Sequence, residues 1–336
     1  MTKIFITGTA GFIGFHLAKL LLDYGFKIHG YDGMTDYYDV NLKYARHNIL
    51  LQNQNFSATE GMLEDNERLY NLANAFQPDV IIHLAAQAGV RYSLDNPRAF
   101  INSNIVGTFN VMEIARKQKV KHLLMASTSS VYGANSNMPF TEIEKADSQL
   151  SIYAASKKAN ESMAHAYSHL WKMPTTMFRF FTVYGPWGRP DMALFKFVSS
   201  ILNDEPIDVY NKGEMYRDFT YVDDVVEGIR LLIDAIPGFS FKKKIFENDS
   251  LSTAAPYRVV NIGNSNTVKV LDFIKVIEEV LSKKAIYNYM PMQKGDVKAT
   301  WADPSLLRNL TDYSPETNFR NGITRFIEWY RKYYNV

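Results

Sequence analysis

Gly8-Thr9-Ala10-Gly11-Phe12-Ile13-Gly14 stands between an apolar strand pattern, Ile4-Phe5-Ile6, and a helical one, Ile13 to Leu22. Three glycines at such a junction let the backbone turn tightly, and the helix that starts there points its positive end at an incoming anion. A pyrophosphate fits both features. The other reading is a strand-to-helix turn that needs only a positive φ. Asp32 weighs against that reading, because it follows the next strand pattern, Lys27 to Tyr31. It lies about 20 residues on, where a carboxylate accepts from a ribose hydroxyl. An acid there repels a 2′-phosphate, so the spacing predicts NAD in preference to NADP.

Outward from this point, short apolar runs alternate with helical patterns: Glu67 to Phe76 is helical, and Val80 to Leu84, Leu123 to Ala126 and Thr176 to Phe181 read as strands. The alternation predicts successive βαβ units and a doubly wound (Rossmann) parallel sheet, an α/β fold. After about Gly185 the elements become shorter and mixed. Residues 1–185 are therefore expected to form the NAD-binding Rossmann domain, with some later segments returning to it. Residues 186–336 are expected to form mainly a smaller mixed α/β domain that binds substrate. The stretch from Phe239 to Pro256, rich in Lys, Ser and Asn, reads as a surface loop.

Composition narrows the chemistry. The 336 residues are 46% hydrophobic, enough for a sizeable core, and 37 basic against 35 acidic residues leave no global field for nucleic acid or anionic lipid. Cysteine is absent, which removes disulfides and thiolate chemistry. The histidines do not cluster, so no metal site is expected, and His83 reads as a packed core residue. The N-terminal segment lacks a cleavage pattern and an apolar run long enough to span a bilayer, and a cytoplasmic protein is expected.

Two further motifs carry chemistry. Tyr153 and Lys157 in "YAASK" share one face of a helix at i and i+4, where a lysine can draw a phenol toward phenolate. Alone, that pair is a weak signal, since Tyr and Lys at helical spacing are more often a snorkelling surface pair. "STSSVYG", Ser127 to Gly133, sets four hydroxyls before Val-Tyr-Gly with no acid among them.

Together, "GTAGFIG", "HLAAQAGVRYS", "STSSVYG", "YAASK", "RFFTVYGPWGRPDMA", "RDFTYVDDVVEG" and "GDV" resemble the extended short-chain dehydrogenase/reductase superfamily. Within it, "YYDVNLKYAR" and "RFFTVYGPWGRPDMALFKF" are similar to the UDP-glucuronate 4-epimerases. The resemblance implies Tyr153 as base, Lys157 as its partner and ribose ligand, and Thr128 on the sugar O4. It implies a dinucleotide site at Gly8, Gly11, Phe12, Ile13, Gly14, Asp32, Leu84, Ala85, Ala86 and Phe180. Arg217 and Asp296 match groups that hold the UDP diphosphate and ribose. Where the family carries Gly-Asp after the third strand, with the Asp receiving the adenine amino group, this chain reads Gly61-Met62-Leu63. Glu64 and Asp65 are the nearby acids that could substitute.

The resemblance also implies a transient 4-ketone and a homodimer built on helices near Asn104 to Lys117 and Tyr153 to Trp171. A pathway role in surface polysaccharide synthesis is implied as well. A ketone beside the C5 carboxylate makes a β-keto acid, which loses CO₂ readily. Decarboxylases and dehydratases of the superfamily carry an acid just before Val-Tyr-Gly, where this chain has Ser129 and Ser130, hydroxyls that bind a carboxylate without supplying a proton. Thr182 and Arg189 are further donor candidates, with Arg91 behind them. The alternatives are a self-satisfied serine turn at Ser129 and Ser130 and a salt bridge from Arg189 to Asp191. For the whole protein the alternatives are a 4-epimerase of UDP-hexose or UDP-N-acetylhexosamine, and a non-catalytic NAD-binding protein.

Overall fold

The computed structural model describes residues 1–238, 246, 248–293 and 295–336. Strand β1 (Lys3–Thr7) leads into α1 (Phe12–Asp23), then β2 (Lys27–Asp32), α2 (Val40–Leu50), β3 (Phe56–Glu60), α3 (Asn66–Phe76) and β4 (Val80–His83). Two single-turn helices, α4 (Tyr92–Asp95) and α5 (Pro97–Phe100), run through a π-helical stretch, Ile101–Gly107, into α6 (Thr108–Gln118). After β5 (His122–Thr128) come a 3₁₀ turn (Ser129–Tyr132), α7 (Ile152–Trp171) and β6 (Thr175–Phe180).

The second half holds β7 (Thr182–Tyr184), α8 (Ala193–Leu202), β8 (Pro206–Tyr210), β9 (Tyr216–Tyr221) and α9 (Val222–Asp234). It continues with β10 (Tyr257–Ile262), β11 (Thr267–Lys269), α10 (Val270–Leu281), β12 (Ile286–Met290), β13 (Ala299–Thr300), α11 (Ser305–Thr311) and α12 (Phe319–Tyr334).

Seven strands form one parallel sheet in the order β10-β6-β5-β4-β1-β2-β3. The order reverses between β1 and β4, which opens a crevice beyond their C-terminal ends. Because both faces are covered, the inner strands read as nearly continuous apolar runs, and successive side chains enter opposite cores. Ile4, Leu124, Phe178 and Val260 pack against α1 and α9 on one face. Phe5, Ile81, Leu123 and Met177 pack against α3, α6 and α7 on the other.

A third core, with Phe195, Phe273 and Phe326, joins α8, α10 and α12 behind the small sheet in which β9 pairs with β7, β11 and β13. β12 and β8 pair separately.

Segments after residue 185 return to the large sheet, and β7 before it joins the small sheet through β9. Helix α9 packs on α1, and β10 completes the edge of the large sheet beside β6. The expected surface loop needs correction. Residues 239–245 and 247 lie outside the described residues, but the part from Asp249 onward is packed. Asp249 is fully buried in an ion pair with Arg258 (2.9 and 3.0 Å), and Leu251 and Ala255 are buried beside it. Composition does not reveal that Asp249 and Ser250 bond β10 and that Ser252 bonds His165 on α7. No helix among the described residues is long and apolar enough to cross a membrane.

Candidate active site

The crevice between β1 and β4 opens into a cavity of about 650 Å³. Its floor is the glycine turn. Gly8 has φ +85°, and a Cβ on it would stand 2.7 Å from the Ala85 backbone nitrogen; one on Gly14 would meet the Gly8 carbonyl oxygen at 2.0 Å. Only glycine lets these backbones approach, and the space they clear at the start of α1 suits a pyrophosphate. Asp32 accepts from the Ala10 and Met34 amides (2.9 and 3.0 Å), which fixes the turn and leaves carboxylate lone pairs facing the cavity. Gly11, Phe12, Ile13, Leu84, Ala85, Ala86 and Phe180 line the same wall. The residues present therefore fit a dinucleotide.

Thr128, Tyr153 and Lys157 lie on the adjoining wall. Thr128 ends β5, and its hydroxyl caps the 3₁₀ turn by accepting from the Ser130 amide at 3.2 Å. Tyr153 and Lys157 sit one turn apart on α7, whose start is capped by Ser151 accepting from the Ala154 amide. Burial raises the Tyr153 phenol above its ordinary value, while a hydrogen bond with Thr128 and the charge of Arg189 pull it down. Burial lowers Lys157 to about 8. Its ammonium donates to the Ala126 carbonyl at 3.0 Å. The charge of Arg189 thus also favours the phenolate, beside Lys157 one turn away on the same cavity.

Arg189 lines the cavity and is gripped by Asp191 (2.9 and 2.5 Å), the salt bridge that was the alternative reading of it. Tyr37 donates to the same carboxylate at 3.3 Å. Arg46, fully buried, donates to the carbonyls of Ala10, Trp187 and Gly188 and so ties the glycine turn to the loop that carries Arg189. Tyr37, Lys43 and Arg46 carry no role in the sequence reading. The signal was present in "YYDVNLKYAR", but a contact across more than 140 residues leaves no local spacing to read.

The remaining expected residues stand off the main cavity wall. Ser130 backs Thr128, its Oγ accepting from the Thr128 hydroxyl at 3.3 Å, and Ser129 is half-buried beside it. Thr182 lines a small adjoining cleft that shares Arg189 and Val183 with the large one. Arg217 and Asp296 gather at the edge of the small sheet. Arg217 donates to the Tyr216 and Lys298 carbonyls (2.9 and 3.2 Å), and Asp296 pairs with Arg91 at 3.3 Å. Arg91 in turn lies over the Tyr210 ring at 4.3 Å. Arg217 feels the charges of both Asp296 and Arg91, so the three groups form one charged cluster. His83 is a core residue, bonded to Thr7 and Thr108 (2.7 and 2.9 Å), with burial and then the Lys157 charge lowering it to about 3.

A parallel sheet of this order, a glycine turn facing Asp32 and a Thr-Tyr-Lys set on β5 and α7 define an extended short-chain dehydrogenase/reductase. Within that class the chain belongs to the family described as GDP-mannose 4,6 dehydratase, which it matches over residues 5–326. It is 52% identical over 334 residues to a probable UDP-glucuronate 4-epimerase of Rhizobium meliloti, covering 99% of this chain and 98% of that protein. UDP-glucuronate 4-epimerase 1 of Arabidopsis thaliana is 41% identical, with 99% and 77% covered. The structure of the present chain is similar to that of UDP-glucuronic acid 4-epimerase from Bacillus cereus in complex with UDP-glucuronic acid and NAD. The TM-score is 0.88 and the identity 31%, over 99% of this chain and 100% of that one.

Proposed function

We propose that this protein is an NAD-dependent isomerase that inverts C4 of UDP-glucuronate to give UDP-galacturonate through a transient 4-ketone. The observation that carries the reading is one cavity that joins a dinucleotide cradle to Thr128, Tyr153 and Lys157, with serines and no acid before Val131. NAD, when bound, supplies the chemistry of taking a hydride from C4 and giving it back, and it is regenerated in each cycle.

The chain's own residues do the rest. Tyr153 takes the O4 proton as C4 is oxidised and returns it as C4 is reduced; Thr128 holds that oxygen in line. Arg189 favours the phenolate, and Lys157 supplies a buried donor beside the nicotinamide ribose. The Arg91, Arg217 and Asp296 cluster anchors the diphosphate and uridine ribose, so the sugar can turn its other face while the nucleotide stays fixed. Ser129 and Ser130 behind Thr128, and Thr182 in the adjoining cleft, are the hydroxyls nearest to the place of the C5 carboxylate, and none of them can protonate its neighbours, so that the β-keto acid keeps its CO₂. The 52% identity to a probable UDP-glucuronate 4-epimerase supports the choice of substrate.

The decisive measurement is product analysis on purified protein given UDP-glucuronate alone. UDP-galacturonate without added NAD is expected, and abundant UDP-xylose with CO₂ would replace this reading by a decarboxylase. Rates on UDP-glucose and UDP-N-acetylglucosamine decide whether a neutral sugar is the true substrate.

A homodimer through α6 and α7 is part of the proposal. Val106, Phe109, Leu170 and Trp171 are exposed apolar side chains on these helices and the stretch before α6, a composition suited to a buried interface. A cytoplasmic location and supply of galacturonate for a surface polysaccharide complete it.

A further inference from the structure

The loop between β7 and α8 carries Arg189 and Asp191, and its backbone is held from several sides. Trp187 in it has φ +59°, and Gly185 has φ +145°. A left-handed backbone at a bulky side chain is strained and persists only where its surroundings fix it. Here three elements do so. His16 on α1 donates from Nε2 to the Pro186 carbonyl at 2.9 Å. Arg46 on α2 donates to the carbonyls of Trp187 (2.6 Å) and Gly188 (3.4 Å), so three successive carbonyls are taken by side chains. The Trp187 ring packs on Phe15 of α1 and on Trp329 of α12, at 5.5 and 5.3 Å between centroids.

Arg46 differs from the other two contacts because its fork is divided between two loops. One terminal nitrogen donates to the Ala10 carbonyl in the glycine turn (2.7 Å) and to the Tyr38 hydroxyl (2.8 Å), and the other serves the loop of Arg189. The side chain is fully buried, and its Nε has no partner. A guanidinium buried on neutral acceptors with one donor unmet is a costly way to close a loop, and only a rigid fork spans both backbones at once. We propose that Arg46 is a positioning residue for epimerisation: it fixes the Trp187 and Gly188 carbonyls against the glycine turn and so sets Arg189 on the cavity wall that Tyr153 shares. The proposal rests on the 4-epimerase reading, in which Arg189 assists Tyr153. Arg46 itself touches neither the sugar nor the proton in flight.

The test compares wild-type holoprotein, assayed with saturating NAD, with Arg46→Met, Arg46→Lys, Arg189→Met and the double variant Arg46→Met with Arg189→Met. Two quantities are read: the pH–rate profile on UDP-glucuronate, and amide hydrogen exchange of residues 185–192 by mass spectrometry. Arg46→Met is expected to speed exchange in that loop by at least about 10-fold while α7 keeps its protection. It is also expected to move the rising limb of the profile to higher pH, so that turnover on that limb falls by about 3- to 10-fold. Arg46→Lys, with one ammonium in place of the fork, is expected to lie between, and it serves where Arg46→Met does not fold. The double variant is expected to shift the limb no further than Arg189→Met alone, because both changes remove one effect. A limb unmoved in both Arg46 variants, a shift that adds to that of Arg189→Met, or loop exchange as slow as in the wild type overturns the role of Arg46 and leaves the epimerase reading intact. A wild-type protein that turns over no UDP-glucuronate overturns both.

Discussion

Tyr153 is subject to opposed forces: burial holds its proton on, and Thr128 and Arg189 draw it off. Replacing it with Phe removes the proton acceptor without touching the cradle. Turnover is expected to fall by at least about 10²-fold while the protein keeps its dinucleotide, as read by rate assay and by absorbance of the released cofactor. Arg189→Met removes the cation, which disfavours phenolate, so the rising limb of the pH–rate profile is expected to move to higher pH; an unmoved limb would take Arg189 out of the proton chemistry. Ser130→Glu places an acid beside Thr128 and is expected to release measurable CO₂ from UDP-glucuronate. At this scale the sequence was most legible where chemistry depends on short spacing. Tyr153 and Lys157 are one turn apart, and Arg189 and Asp191 are two residues apart. Arg46 was not legible in that way, because only the fold brings the carbonyls of Trp187 and Gly188 to it.

Elements are coupled here through buried polar clasps. Glu161 on α7 accepts from Ser127 on β5 (2.7 Å) and holds Arg179 on β6 in a two-bonded pair (2.9 and 2.8 Å). Arg179→Met leaves buried Glu161 with only Lys158 at 3.3 Å and the Ser127 hydroxyl, and a loss of about 2–4 kcal/mol is expected in denaturant melts. Glu142 accepts from the Asn261 amide at 2.7 Å, while Asn261 also bonds the Phe140 carbonyl (2.8 Å) and the Tyr132 hydroxyl (2.7 Å). This pins the irregular segment before α7 to β10. Burial raises Glu142 from 4.5 to about 7. The folded chain therefore holds the extra proton between those values, and this group's contribution to stability falls as pH rises from about 4.5 to 7. Glu142→Gln keeps the acceptor and is expected to flatten the Tm against pH over that window, a difference on the order of 1–3 kcal/mol. The inner strands were legible as apolar runs bounded by helix patterns. The pairing of β10 with β6 was not, because strand order is set by tertiary packing and β10 lies far along the chain from its neighbour.

For the whole molecule, exposed Phe109 and Leu170 predict self-association. Light scattering is expected to report a dimer, and Phe109→Asp combined with Leu170→Asp is expected to shift it toward monomer. The chain repeatedly passes between its two layers, leaving the large sheet after β6, returning through α9 and β10, and leaving again through β11. An assembly joined by a single linker can swing open like a book; one laced through several covalent crossings cannot, since each thread would have to lengthen together. Ligand exchange must then go by local yielding of side chains and the loop tied down by Arg46, and the ketone we propose would stay shut in by the lacing of the chain itself.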